Sequence, residues 1–157
     1  MSYISGEPGG VSPIDTPTLA ATQALLAYWQ GKCSATDIPR RDDIVPAEIL
    51  PYLPNLVIAE PTDGGRDWLY RLVGTEVVWL GGQDPTGKRN SEVLPPDVAT
   101  RYSADYRRGA GSRKPWFAQG NFAAPGLESM RFEAIGLPIL ARDGASVWVL
   151  LGVFRLD

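Results

Sequence analysis

Three groups of residues have the types and spacing that chemistry needs. Gly82 to Arg89, GQDPTGKR, follow the G-x-x-x-x-G-K spacing of a phosphate-binding loop; Asp42 and Asp43 are adjacent carboxylates that could hold a metal or exchange a proton; and Cys33 is the one thiol. A phosphate loop requires a strand before it, a long helix after it and a Ser or Thr hydroxyl for the magnesium ion. Here Arg89 stands at the hydroxyl position, and Pro95 and Pro96 follow Lys88 too closely for a long helix to start. DPTG instead reads as a type I turn, with Pro second and Gly fourth, and Lys88 and Arg89 as solvent-facing charges. Asp42 and Asp43 follow Arg40 and Arg41, a pattern that suits a capped helical turn with surface ion pairs. Cys33 falls at the end of an apolar helical stripe, where the helix dipole disfavours a thiolate, and reads as a small buried apolar residue.

The composition narrows the chemistry further. The chain has 157 residues and no histidine. Ser-His-Asp and Cys-His catalysis, the usual zinc sites and His-ligated haem are therefore excluded. No carboxylate stands out as a general base, so the expectation is a protein that is not an enzyme. A hydrophobic content of 44% suffices for one domain with a real core. A single Cys leaves no internal disulfide to form. The net charge of −3 argues against nucleic acid as the main partner, and the local cluster of Arg107, Arg108, Arg113 and Lys114 reads as a solvated helix end. No window approaches a membrane span and the N-terminus lacks a signal-peptide pattern, so the expected location is the cytoplasm.

Positioning elements follow from the pattern. Residues 1–16 are rich in Gly, Pro and Ser without a hydrophobic period, and read as a flexible tail ahead of a single domain over 17–157. Thr16 and Pro17 suit N-cap and N1 of an amphipathic helix over 17–33, with Leu19, Leu26, Trp29 and Cys33 on its apolar face. Four prolines between 39 and 54 allow only brief helical turns. NLVIAEP and RDWLYRLVG, joined by TDGG, predict a hairpin, and TEVVWLGG a short helix that stops at Gly81 and Gly82. LPPDVATRYSADYRRGAGSRKP predicts a longer helix, with a stripe of Val98, Tyr102 and Tyr106, that ends at Gly109 to Gly111. Three strands then follow across short turns, which permit only an antiparallel meander. The last, SVWVLLGVF, is apolar on both faces and must be covered twice: by the short helices on one side and by the first helix, or a partner chain, on the other.

This order of two strands, small helices, one linking helix and a three-stranded meander resembles a PAS domain. The segments Arg41 to Pro46, YRLVGT at Tyr70 to Thr75 and DPTGK at Asp84 to Lys88 are similar to those of the PAS_5-type family of short, single-domain bacterial proteins. The resemblance covers about 17–157 and implies an α+β fold with a five-stranded antiparallel sheet, short helices on one face and an N-terminal amphipathic helix. It also implies a sensory module for signal transduction. Within such families a haem sensor would need His, and a covalent flavin or chromophore a Cys beside the pocket; Cys33 lies upstream of the whole sheet, so no cofactor is expected and only an unidentified small ligand is.

The resemblance places any ligand between sheet and short helices. Candidate lining residues are Tyr70, Leu72, Trp79, Trp116, Phe132 and Trp148, although a one-residue slip would reverse the faces. Arg71 and Arg131, set within apolar strands, could hold a carboxylate ligand or pair with Glu133 or Glu76. Equally, the aromatic residues could fill a closed core. The expected functions are a stand-alone sensory module that binds a small molecule and signals through a partner or dimerisation, or alternatively a ligand-free interaction module. A third, an isomerase- or cyclase-like enzyme with Asp or Glu as base, would need a buried carboxylate in an open cavity, which no residue of the sequence marks. With the last strand reaching Asp157, output is expected through a homodimer or a partner signalling protein, at a surface around Leu19, Leu26 and Trp29.

Overall fold

The computed structural model describes residues 9–122 and 124–156. Six strands make one sheet: β1 (Val11–Ile14), β2 (Leu56–Thr62), β3 (Asp67–Val73), β4 (Trp116–Asn121), β5 (Arg131–Leu140) and β6 (Val147–Leu156). Every pairing is antiparallel and the order is β1-β4-β5-β6-β2-β3. The hairpin and the meander form as their alternation and short turns require.

The sixth strand corrects the sequence reading. Val11–Ile14 pair with β4 along Val11–Gly120 to Ile14–Phe117, so the second half of the expected tail belongs to the sheet. The segment escapes a sequence reading because it is short and carries Pro13, which only an edge strand tolerates. The expectation for residues 1–8 lies outside the described residues.

Helix α1 (Ala20–Lys32) lies on one face of the sheet against β5 and β6, and buries Thr22, Leu25 and Trp29. It starts later than Thr16 and Pro17 suggest. Its N-cap is Leu19, without a side-chain cap. Strand β5 supplies the missing acceptor: the Glu133 carboxylate takes bonds from the backbone N–H of Leu19 (3.0 Å) and Thr18 (3.1 Å), and from the hydroxyls of Thr18 and Thr22 (2.5 Å each). Three 3-10 turns, Arg41–Asp43, Pro46–Glu48 and Leu50–Asn55, precede β2, as the prolines dictate. Leu25, Trp29, Ile44, Ile49, Ile58, Ile135, Leu137 and Leu150 fill this side as a closed core.

Helices α2 (Thr75–Gly81), α3 (Asn90–Val93) and α4 (Pro96–Ser112) are associated with the opposite face. Proline at N1 starts α4, but Gly109 does not stop it. The helix runs to Ser112 and ends at Arg113 in a left-handed conformation, φ 56°. The domain thus has three layers, with both apolar faces of β6 covered by its own chain.

Candidate ligand-binding cavity

The face of the sheet toward α4 does not close. Val57 and Ala59 of β2, Ala134 and Gly136 of β5, and Leu151 and Val153 of β6 share this face through their register, and all but Ala59 line a cavity of about 190 Å³. Small residues on the strands leave the space. Val77 and Leu80 of α2, Val93 of α3, and Tyr102 and Tyr106 of α4 form the other walls, and Val11 of β1 and Phe122 also contribute.

Trp116 forms part of the wall through two close approaches. A Cβ at Gly136 would sit 2.2 Å from the Trp116 ring, and one at Gly109 would sit 2.1 Å from it. The indole is therefore held between the backbones of β5 and α4, which explains why a glycine is used inside that helix despite its poor propensity there. Tyr106 stacks on Trp116 in a tilted arrangement at 6.4 Å and meets Trp68 edge-on at 5.7 Å.

The polar groups of this wall run in a chain. The Tyr106 hydroxyl lies beside that of Tyr70, Tyr70 donates to Asn90 Oδ1, and Asn90 Nδ2 donates to Ser103 Oγ at 3.1 Å. Asn90 is fully buried and ties α3 to both β3 and α4. Burial pushes the Tyr70 hydroxyl up to about 12, against the lowering effect of the neighbouring Tyr106 hydroxyl. Burial also raises Tyr102 and Tyr106, reinforced by the neighbouring tyrosines. All three stay neutral at physiological pH. Among the described residues no carboxylate, Lys or Arg lines the cavity.

The structure separates the residues proposed from sequence. Tyr70, Trp116 and Phe132 line the cavity together. Leu72, Trp79 and Trp148 do not, and each has its reason. Alternation puts Leu72 on the face of Tyr70, but β3 carries a bulge: Ala59 pairs with Tyr70 and Ile58 with Leu72, leaving Arg71 as the extra residue. Leu72 is thereby turned to the other face and stands exposed. Trp79 is 59% exposed because α2 turns Val77 and Leu80 inward instead. Trp148 pairs with Ile139 and packs with the closed core. The cavity face of β6 is the alternative set, Leu151 and Val153.

Neither arginine reaches the cavity. Arg71 pairs with Glu60 at 3.2 Å and lies 5.5 Å from the Trp148 ring centroid, and exposed Arg131 donates to Gln119 Oε1 at 3.4 Å. Glu133 takes neither of them. Desolvation opposes its charge, but bonds from Thr18, Thr22, Leu19 and Gln119 prevail and hold its carboxyl at about 2. It is a buried carboxylate on the far face from the cavity, with its lone pairs committed to the start of α1 and to Gln119 of β4.

The proposed interface residues also take other roles. Trp29 is buried and donates from Nε1 to the Pro138 carbonyl at 2.8 Å, while Leu19 and Leu26 pack half-buried on the same core. Helix α1 therefore covers its own sheet. Cys33 is the half-buried C-cap of α1, and burial raises its thiol. Asp42 accepts from Arg142 at 2.8 Å and Asp43 from the Arg40 N–H at 2.9 Å, a surface ion pair and a cap as read. No group of His, Cys, Asp and Glu among the described residues could hold a metal ion.

GQDPTGKR serves the sheet. Gly87 N donates to Tyr70 O at 2.8 Å and Tyr70 N to Lys88 O at 3.0 Å, so the loop pairs with the β3 edge. The turn is one residue later than DPTG: Lys88 N bonds Pro85 O at 2.9 Å, with Gly87 at φ 80° in the third position, as type II demands.

With this architecture in place, comparison with known proteins is decisive for the family. A PAS domain profile matches residues 18–154. The chain belongs to the PAS domain family. No curated protein matches it. In this PAS domain the match begins at Thr18, so β1 and its Val11 lie outside the matched span although they complete the sheet and the cavity. PAS domains are sensory or interaction modules, and the helices of this one include none long and apolar enough to cross a membrane among the described residues.

Proposed function

We propose that this PAS domain is a non-catalytic sensory module that binds a small molecule between its sheet and α2–α4, and reports occupancy through a partner protein or a second copy of itself. The cavity of about 190 Å³ carries this reading. Interiors are normally packed to crystal-like density, and a space of this size lined by Val, Leu and aromatic side chains is unusual in a core that serves only packing. Haem and covalently held flavin do not suit it: the chain has no histidine, and Cys33 packs on the opposite face of the sheet.

Output runs through α2. Val77 and Leu80 meet the cavity while Trp79, in the same two turns, is 59% exposed. A ligand that moves the inner face of α2 moves the aromatic surface that a partner would read. Native mass spectrometry of the protein purified from its host tests the reading. A small molecule retained under gentle conditions and released on denaturation is expected. A ligand-free dimer, in protein that also fails to bind any compound in a thermal-shift screen, would replace the sensor with an interaction module.

A further inference from the structure

The chemistry of the cavity wall restricts what can enter, and this step rests on the ligand-binding reading above. Six aromatic rings face the space, from Tyr70, Tyr102, Tyr106, Trp116, Phe122 and Phe132. No ionised side chain among the described residues lines the space, so a carboxylate or phosphate would enter without a direct ion-pair partner in the wall. The volume, about 190 Å³, is modestly larger than the roughly 150 Å³ apolar cavity that accepts benzene. A single ring with a short substituent fits that scale.

Of the polar side chains that line the space, Gln83 sits at its exposed rim and donates from Nε2 to the Val93 carbonyl at 3.1 Å, which leaves the tyrosines of the aromatic wall. The Tyr70 hydroxyl is engaged with Asn90 in the chain that ends at Ser103, and the Tyr106 hydroxyl is its immediate neighbour. Tyr102 lines the same cavity and its hydroxyl lies near theirs, but no described residue hydrogen-bonds it. A neutral tyrosine is a donor in search of an acceptor. We infer that the cavity binds an uncharged monocyclic aromatic compound bearing one hydrogen-bond acceptor, a carbonyl or ether oxygen, which Tyr102 recognises.

Isothermal titration with acetophenone, ethylbenzene and benzoate tests the inference on the full chain. Acetophenone should bind, ethylbenzene more weakly, and benzoate at least tenfold more weakly than acetophenone. Tyr102→Phe should weaken acetophenone about fivefold, the worth of one hydrogen bond, and leave ethylbenzene unchanged. Benzoate binding as tightly as acetophenone, or Tyr102→Phe affecting acetophenone and ethylbenzene alike, would overturn the inference. Ala134→Phe, which fills the space from β5, separates this failure from that of the cavity itself; Ala118→Leu serves if that variant is unstable. Binding abolished by the filling variant but indifferent to the acceptor sinks only the aromatic-acceptor inference. No binding by any of the three, or binding that the filling variant leaves intact, sinks the cavity reading with it.

Discussion

Replacing Glu133 with Gln should destabilise the domain by several kcal/mol at neutral pH, with the difference shrinking in acid. The carboxylate of this fully buried residue accepts from Thr18 N, Thr18 Oγ1, Leu19 N, Thr22 Oγ1 and Gln119 Nε2. An amide keeps one acceptor oxygen and turns the other position into a donor. If nitrogen takes the Oε2 position, Leu19 N–H faces a donor; if it takes the Oε1 position, Gln119 Nε2 does, and only a rotation of that amide relieves it. The hydroxyls of Thr18 and Thr22 can rotate to accept, so one or two donors lose their partner. At about 1–3 kcal/mol for each buried unpaired group, and with the loss of charge assistance in the remaining bonds, roughly 2–4 kcal/mol follows. In urea, with a slope near 2 kcal/mol/M, this is a midpoint shift of about 1–2 M.

The pH dependence gives the sharper result. Glu133 has a depressed pKa in the folded state, about 2. Its contribution is therefore complete above the ordinary glutamate range and is lost as pH falls from near 4.5 toward 2. Wild type and Glu133→Gln should converge over that window and stay separated above it. A difference below about 0.5 kcal/mol at pH 7, or one unchanged down to pH 3, would refute the assignment of Glu133 as the cap of α1.

Other expectations follow from single contacts. Gly136→Ala places a methyl group into the Trp116 ring and should cost about 1–3 kcal/mol with a change in tryptophan emission; an unchanged spectrum and melting point would contradict the close packing. Asn90→Ala releases the Tyr70 hydroxyl and Ser103 and should lower stability by about 2 kcal/mol in urea titration, with hydrogen-exchange protection lost first between α3 and β3. Trp29→Phe removes the bond to Pro138 and should cost about 1–2 kcal/mol while leaving the mass by light scattering unchanged, since Trp29 packs within its own chain.

Much of the fold was legible because its signals are local. The hairpin, the meander and α4 follow from alternation, turn residues and a helical stripe, and the coverage of β6 on both faces follows from its composition. The sequence also points to three of the cavity residues, Tyr70, Trp116 and Phe132. What it does not carry is register. The bulge at Arg71 reverses Leu72 relative to Tyr70, and nothing in RDWLYRLVG marks where the extra residue falls. The choice between the Trp148 and Leu151 faces of β6 has the same cause, since both sets are apolar. Glu133 reads as a candidate partner for an arginine because charge complementarity is visible in a sequence, whereas a helix terminus 111 to 115 residues away in the chain is not. Strand β1 needs its partner β4 to be recognised at all.

The two faces of the sheet divide the work. On the α1 side, large aliphatic residues interlock, Trp29 and Glu133 fix the helix by specific bonds, and nothing remains to respond to a small molecule. On the other side the strands present Ala118, Ala134 and Gly136, and two of the three helices above them, α2 and α3, are short. Helix α2 spans only Thr75–Gly81 and ends at Gly82 in a left-handed conformation, φ 78°. Its inner residues touch the cavity and its outer residue Trp79 meets solvent, with no tertiary hydrogen bond from that side chain among the described residues to hold it. A perturbation inside the cavity therefore meets a rigid sheet backed by α1 on one side, and on the other the 17-residue α4 beside the two-turn α2. On the proposed ligand-binding reading, α2 is the element expected to yield, and the surface expected to change is the one around Trp79.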